Sequence, residues 1–171
     1  MSKKTVLITG ANRGLGLETA RQMGKLGYFV YLGVRDLAKG KAVAADLATE
    51  GIESQPVVLD MADQSTIAPA IEKISTHSGS LDALINNAGV NLDEGRKASE
   101  VPVDAIRETY EVNVFNVIAL IQASLPLLEK SPAGRIVNLS SILGSLTYNS
   151  DPKAPLGDWR LLGYNSSKTA L

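Results

Sequence analysis

Thr5-Val6-Leu7-Ile8 is an unbroken apolar run that passes directly into Thr9-Gly10-Ala11-Asn12-Arg13-Gly14-Leu15-Gly16, and from Leu15 to Leu26 the sequence keeps a helical period until Gly27. A strand with no polar alternation is buried on both faces, which is the condition of a parallel sheet. A glycine-rich turn opening a helix is the connection that such a strand needs. The unit repeats. Tyr28 to Val34 reads as a second strand, Leu37 to Glu50 as a helix closed by Gly51, and Ser54 to Leu59 as a third strand. Asp63 has the chemistry of an N-cap for a helix running to about Ser78, and Leu81 to Ile85 is a fourth strand. Val103 to Glu129 is a long amphipathic stretch interrupted only by Pro126, and Arg135 to Leu139 is a fifth strand. This alternation predicts an α/β fold, a doubly wound parallel sheet whose ligands lie where strand order reverses at the carboxyl ends.

With 171 residues, 44% of them hydrophobic and 20% charged, the chain supports one core, and residues 1–171 are expected to form a single domain. A formal net charge of −1, without a lysine or arginine block, gives no electrostatic pull toward nucleic acid or anionic lipid, so neither is expected as a partner. There is no cysteine, hence neither a disulfide framework nor thiolate chemistry. Met1-Ser2-Lys3-Lys4 leads straight into the first strand. No apolar run approaches the roughly 20 residues that span a bilayer. The expectation is a cytoplasmic enzyme or binding domain.

Two constellations carry chemistry. In the first, the glycines of the loop after strand one permit a tight turn and let backbone N–H groups and the positive end of the next helix approach a pyrophosphate; the bland alternative is a simple turn. The second is Tyr164-Asn165-Ser166-Ser167-Lys168, where a phenol and an ammonium share one helix face. A cation within about 4–6 Å favours the phenolate, which makes the pair a candidate acid/base device, although Tyr-x-x-x-Lys also occurs on solvated helix faces.

Taken together, Thr9-Gly10-x-x-x-Gly14-x-Gly16, Asn86-Asn87-Ala88-Gly89 after strand four, Asn113, Ser140-Ser141 after strand five and Tyr164-x-x-x-Lys168 resemble the short-chain dehydrogenase/reductase family along the whole chain. The resemblance implies a Rossmann-like three-layer fold and a catalytic tetrad of Asn113, Ser141, Tyr164 and Lys168. Tyr164 would donate the proton, Ser141 would orient the carbonyl, Lys168 would also bind the nicotinamide ribose, and Asn113 would hold a relay water or simply bend its helix. Ser140 is left as a helper or a structural hydroxyl. Gly10, Asn12, Arg13, Gly14, Leu15 and Gly16 would form the pyrophosphate loop, Asp60 and Met61 would meet the adenine, and Asn87, Ala88 and Gly89 would make room for the adenosine ribose while tying strand ends together. Asp60 is otherwise an ordinary turn residue.

An acidic residue at the end of strand two would bind the ribose of NAD, whereas an arginine pairs with the 2′-phosphate of NADP. Val34-Arg35 occupies that place, Arg13 offers a second cation, and Asp36 reads as the N-cap of the following helix, so NADP(H) is the expected cofactor. The segment from residue 142 to 163 is longer than in most relatives and rich in turn residues. Carbonyl-reductase-like members carry an insertion here, so both a homo-oligomer and a monomer remain open. Tyr148, Leu156 and Trp159 either line a substrate pocket or pack on the chain's own helices.

The family's further strands and helices are not encoded after Leu171, so the chain is expected to be a fragment whose fifth strand is an exposed apolar edge. His77, Asp93-Glu94 and Glu111 form no ligand cluster, no metal is expected, and these are read as solvated surface residues. The function expected is hydride transfer between NADP(H) and a small carbonyl or alcohol substrate. The alternatives are a non-catalytic NADP-binding sensor or scaffold module, and a nucleotide-sugar epimerase, which is disfavoured by the glycine spacing.

Overall fold

The computed structural model describes residues 3–93, 95–155 and 160–171. Its five strands, β1 (Thr5–Thr9), β2 (Phe29–Val34), β3 (Ser54–Val58), β4 (Ala83–Asn86) and β5 (Arg135–Asn138), pair in parallel in the order β3-β2-β1-β4-β5. The helices are α1 (Gly14–Lys25), α2 (Leu37–Thr49), α3 (Ile67–Ser78), α4 (Val103–Tyr110), α5 (Asn116–Leu128), α6 (Leu146–Ser150) and α7 (Leu162–Ala170). This is the doubly wound α/β architecture that the alternation predicts.

The strands read as continuous apolar runs because both of their faces are covered. Val6, Ile8, Val30, Leu32 and Val34 share one core with Ala20 of α1 and Leu47 of α2. The alternate residues Leu7, Tyr31, Val57 and Leu84 share the other with Ile67 and Ile74 of α3 and with Val117, Leu120 and Leu127 of α5. The two-residue side-chain period of the strands therefore sorts the helices into two layers. Among the described residues β5 pairs only with β4, and its Ile136 and Val137 are 41% and 49% exposed, so it is the apolar edge that the sequence suggests.

Local capping matches the reading at two places. Asp36 Oδ1 accepts from the N–H groups of Ala38 and Lys39, opening α2. Asp63 caps a 3₁₀ turn, Gln64–Thr66, and α3 follows that turn. The stretch from 103 to 128 is one continuous helix, but α4 and α5 are joined by a π-helical segment, Glu111–Phe115, that the amphipathic pattern does not announce. No uninterrupted apolar run in the sequence reaches membrane length. This 26-residue helix nevertheless is long and apolar enough to cross a bilayer by length and composition. Half of its most apolar window is buried inside the molecule, where it forms the core layer against the sheet.

Candidate active site

Strand order reverses between β1 and β4, and the site assembles at that crevice. Ile8 lies opposite Ile85, so the carboxyl ends of the two strands, Thr9 and Asn86, lie side by side. Side chains from the sequence motifs lock them. Asn87 Nδ2 donates to Thr9 O at 2.8 Å, Thr9 Oγ1 accepts from the N–H groups of Asn87 and Ala88, and Asn86 Nδ2 donates to Asn138 Oδ1 at 2.8 Å. The tetrapeptide thus ties β1, β4 and β5 together at one level.

The glycine loop crosses this edge to α1. Gly14, with φ +55°, faces open space, whereas a Cβ on Gly16 would stand 2.4 Å from Gly10 O and 2.5 Å from Asn87 Nδ2, so no side chain fits there. Arg13 occupies the N-cap position of α1 with no side-chain cap, and the first turn carries no acidic residue. The helix start therefore keeps its positive end available, and the missing Cβ of Gly16 lets α1 pack directly on Gly10 and Asn87, an arrangement that fits a dinucleotide pyrophosphate at the helix start. Leu15 and Arg13 are exposed and Asn12 is half-buried.

Arg35 follows β2 and is exposed; neither it nor Arg13 takes part in an ion pair among the described residues. Asp36 is engaged in its cap. Asp60 Oδ1 accepts from Ala62 N at 3.0 Å, and the carbonyl of buried Met61 accepts from Asn116 Nδ2 at 2.9 Å, which binds the loop after β3 to α5.

The Tyr-x-x-x-Lys residues sit on α7, across an open cleft of about 350 Å³ lined by Asn87, Gly89, Leu139, Ser140, Tyr164 and Lys168. Lys168 is buried and its Nζ donates to Leu139 O at 2.8 Å and lies 6.0 Å from the Tyr164 ring centroid. Desolvation holds the ammonium below its ordinary 10.5. Gly89 is packed close to this ammonium, since a Cβ there would stand 3.5 Å from Nζ.

Asn113 lies in the π-helical segment and is fully buried. Its Oδ1 accepts from Val90 N at 2.9 Å, while Nδ2 donates to Val90 O at 2.9 Å and to Ser167 Oγ at 3.0 Å. Both amide donors are thus committed to protein partners, and the residue knits the loop after β4 to α7. Ser141 caps the 3₁₀ turn Ile142–Gly144, its Oγ accepting from Leu143 N at 3.2 Å, and it is Ser140 that lines the cleft, with a 3.3 Å bond to Lys168 O. Tyr164, Lys168, Gly89 and Asn113 are brought together; Ser141 is not among the residues lining the cleft, although Ser140 and Leu143 on either side of it are.

Within 142–163 the structure has the 3₁₀ turn, α6 with half-buried Tyr148, and the start of α7. Leu156, Trp159 and Glu94 lie outside the described residues. Asp93 corrects the sequence reading: it is 1% exposed rather than solvated. Its Oδ1 accepts from Gly163 N at 3.0 Å and its Oδ2 from Tyr164 N at 2.8 Å. The available signal was an absent one, because α7 begins after Leu161, which has no side chain able to cap it, and an uncapped buried helix start demands an acceptor from elsewhere.

A family model described as short chain dehydrogenase matches residues 4–155. The chain belongs to the short-chain dehydrogenase family. "Short-chain dehydrogenase anuI" from Penicillium roqueforti is 36% identical over 100% of this chain and 69% of its own length. Mouse "Retinol dehydrogenase 12" is 37% identical over 81% of this chain and 43% of its own, so the chain spans less than half of that relative. Among solved structures, a metagenomic short-chain oxidoreductase in complex with NADP superposes with a TM-score of 0.83 at 29% identity, covering 99% of this chain and 72% of that one. This short-chain dehydrogenase is thus an oxidoreductase by family, with a nucleotide-binding Rossmann-like sheet.

Proposed function

We propose that this short-chain dehydrogenase transfers hydride between NADP(H) and a small carbonyl or alcohol substrate, with Tyr164 as general acid and base. The observation that carries the reading is that Tyr164 and Lys168 line one cleft from the same helix, α7, facing Asn87 and Gly89 at the end of β4, with the ammonium 6.0 Å from the phenol ring. Bound NADPH supplies a hydride to the carbonyl carbon. The oxygen then needs a proton, which Tyr164 gives, and in the reverse direction its phenolate takes one. Lys168 spends one donor on Leu139 O and keeps two others. These would hold the nicotinamide ribose. Ser140 and Ser141 supply the hydroxyl that polarises the carbonyl, and Asn113 holds the frame on which α7 rests.

NADP preference rests on Arg35 and Arg13, both exposed and without ion pairs among the described residues, and on the absence of an acid at the end of β2. The NADP complex of the structural neighbour supports it. Asn12, Gly10, Gly14, Leu15 and Gly16 would hold the pyrophosphate, Asp60 and Met61 the adenine, and Asn87, Ala88 and Gly89 the adenosine ribose. Val90, Leu143 and Leu161 give the cleft an apolar wall suited to a neutral substrate.

The test is a carbonyl panel followed by NADPH absorbance. Tyr164→Phe is expected to lower turnover by on the order of 10²-fold or more while leaving NADP affinity near wild type, because it removes the proton donor alone. NADP binding without turnover on any carbonyl would favour the non-catalytic module instead.

A further inference from the structure

Resting on the reading just given, we propose that Asp93 is a positioning residue for Tyr164, anchoring the peptide of the proton donor from the loop after β4. A helix start leaves its first N–H groups without intrahelical partners, and α7 begins at Leu162 with no cap of its own. The Asp93 carboxyl takes two of these groups, one on each oxygen, and one of the two belongs to Tyr164 itself. The other end of the same residue is also held. Tyr164 O accepts from Ser167 Oγ at 2.7 Å, and that hydroxyl accepts from Asn113 Nδ2. Tyr164 is therefore held at its N–H from outside α7 by Asp93, and at its carbonyl by Ser167 of its own helix, whose hydroxyl is in turn held by Asn113.

The anchor is itself built rather than incidental. Asp93 N donates to Asn91 Oδ1 at 3.1 Å, and Asn113 grips Val90 by both its N–H and its carbonyl. A short path of hydrogen bonds thus runs from the π-helical segment through residues 90–93 to the start of α7. This path also carries position from the proposed cofactor side of the site, since Asn87 and Gly89 lie just before it in the chain and line the same cleft. The consequence is geometric: α7 is short, and without Asp93 its first turn loses the acceptor that sets where the phenol points.

The experiment compares wild type, Asp93→Ala and Asp93→Asn by steady-state kinetics, NADP titration and amide hydrogen exchange. The asparagine keeps the shape but offers one acceptor oxygen, so it serves where alanine fails to fold. Expected is a fall in kcat of about 10- to 100-fold for alanine, the scale of a misplacement of about 1 Å, with a smaller loss for asparagine. NADP affinity should stay within about threefold, and exchange should rise at 162–166 while β1 to β4 remain protected. The inference is overturned by a kcat within about threefold of wild type in both variants. A loss in kcat matched by equal loss of NADP affinity and by exchange spread over the whole sheet also overturns it. If wild type turns over no carbonyl, the proposed function falls, and unchanged protection of Gly163 and Tyr164 in Asp93→Ala then overturns the anchor separately.

Discussion

Replacing Gly16 by alanine tests the glycine cradle most directly. The added methyl would meet Gly10 O at 2.4 Å and Asn87 Nδ2 at 2.5 Å, both well inside contact distance. Neither atom is free to leave, since one is backbone and the other donates to Thr9 O. Relief therefore requires both that α1 shift away from Gly10 O and that Asn87 move, breaking its bond to Thr9 O. Overpacking costs about 1–3 kcal/mol and a lost hydrogen bond about 0.5–1.5 kcal/mol, giving roughly 2–4 kcal/mol in all. For a chain of this size that corresponds to a fall in Tm of very roughly 5–15 °C. The same shift displaces the N–H groups of the first turn, so NADP affinity should drop by about tenfold or more. Gly14→Ala is the internal comparison: its φ of +55° strains any side chain, but nothing lies within 4 Å, so its stability cost should be about 1–2 kcal/mol. Thermal melting and cofactor titration on both variants decide the matter. A Gly16→Ala protein as stable as Gly14→Ala, binding NADP as tightly as wild type, would refute the reasoning.

Arg35→Asp should reverse cofactor preference, because it removes a charge-assisted pair with the 2′-phosphate and adds repulsion, together about 2–4 kcal/mol; titrating NADP and NAD against both proteins checks this, and a wild type indifferent to the two would sink it. Lys168→Met should abolish turnover and report the desolvation of the ammonium. The folded-state value of Lys168 lies below 10.5, so between that depressed value and 10.5 the unfolded chain binds the extra proton, and wild-type stability rises with pH relative to the methionine variant. Urea denaturation of both proteins from neutral pH upward should show that difference, and a constant offset would count against it.

What was legible in the sequence is what is local or repeats with a short period. The five strands announce themselves because apolar residues on both faces leave no polar alternation, and the two-residue period of Val6, Ile8 against Leu7 then assigns each side chain to its layer. Asp36 was readable as a cap because its acceptor and the donors of Ala38 and Lys39 lie within three residues. Asp93 was not, because the N–H groups it serves lie 70 and 71 residues further along the chain, and its neighbours in sequence look like any solvated loop. The π-helical segment was hidden for a related reason. Its extra width changes which carbonyl each N–H finds, not the apolar stripe, so Val112 and Val117 still reach the core while Asn113 is turned to Val90 and Ser167. Ser141 shows the converse: a motif fixes where a hydroxyl stands in the chain, but the 3₁₀ turn after β5 decides that this one bonds Leu143 N and that Ser140 faces the cleft. Motif residues thus mark the candidate chemistry, while its geometry is set by long-range hydrogen bonds from both a motif residue, Asn113, and a residue of no recognisable pattern, Asp93. In this fold one such bond, from the Asp93 carboxyl 71 residues away along the chain, ends on the backbone N–H of Tyr164.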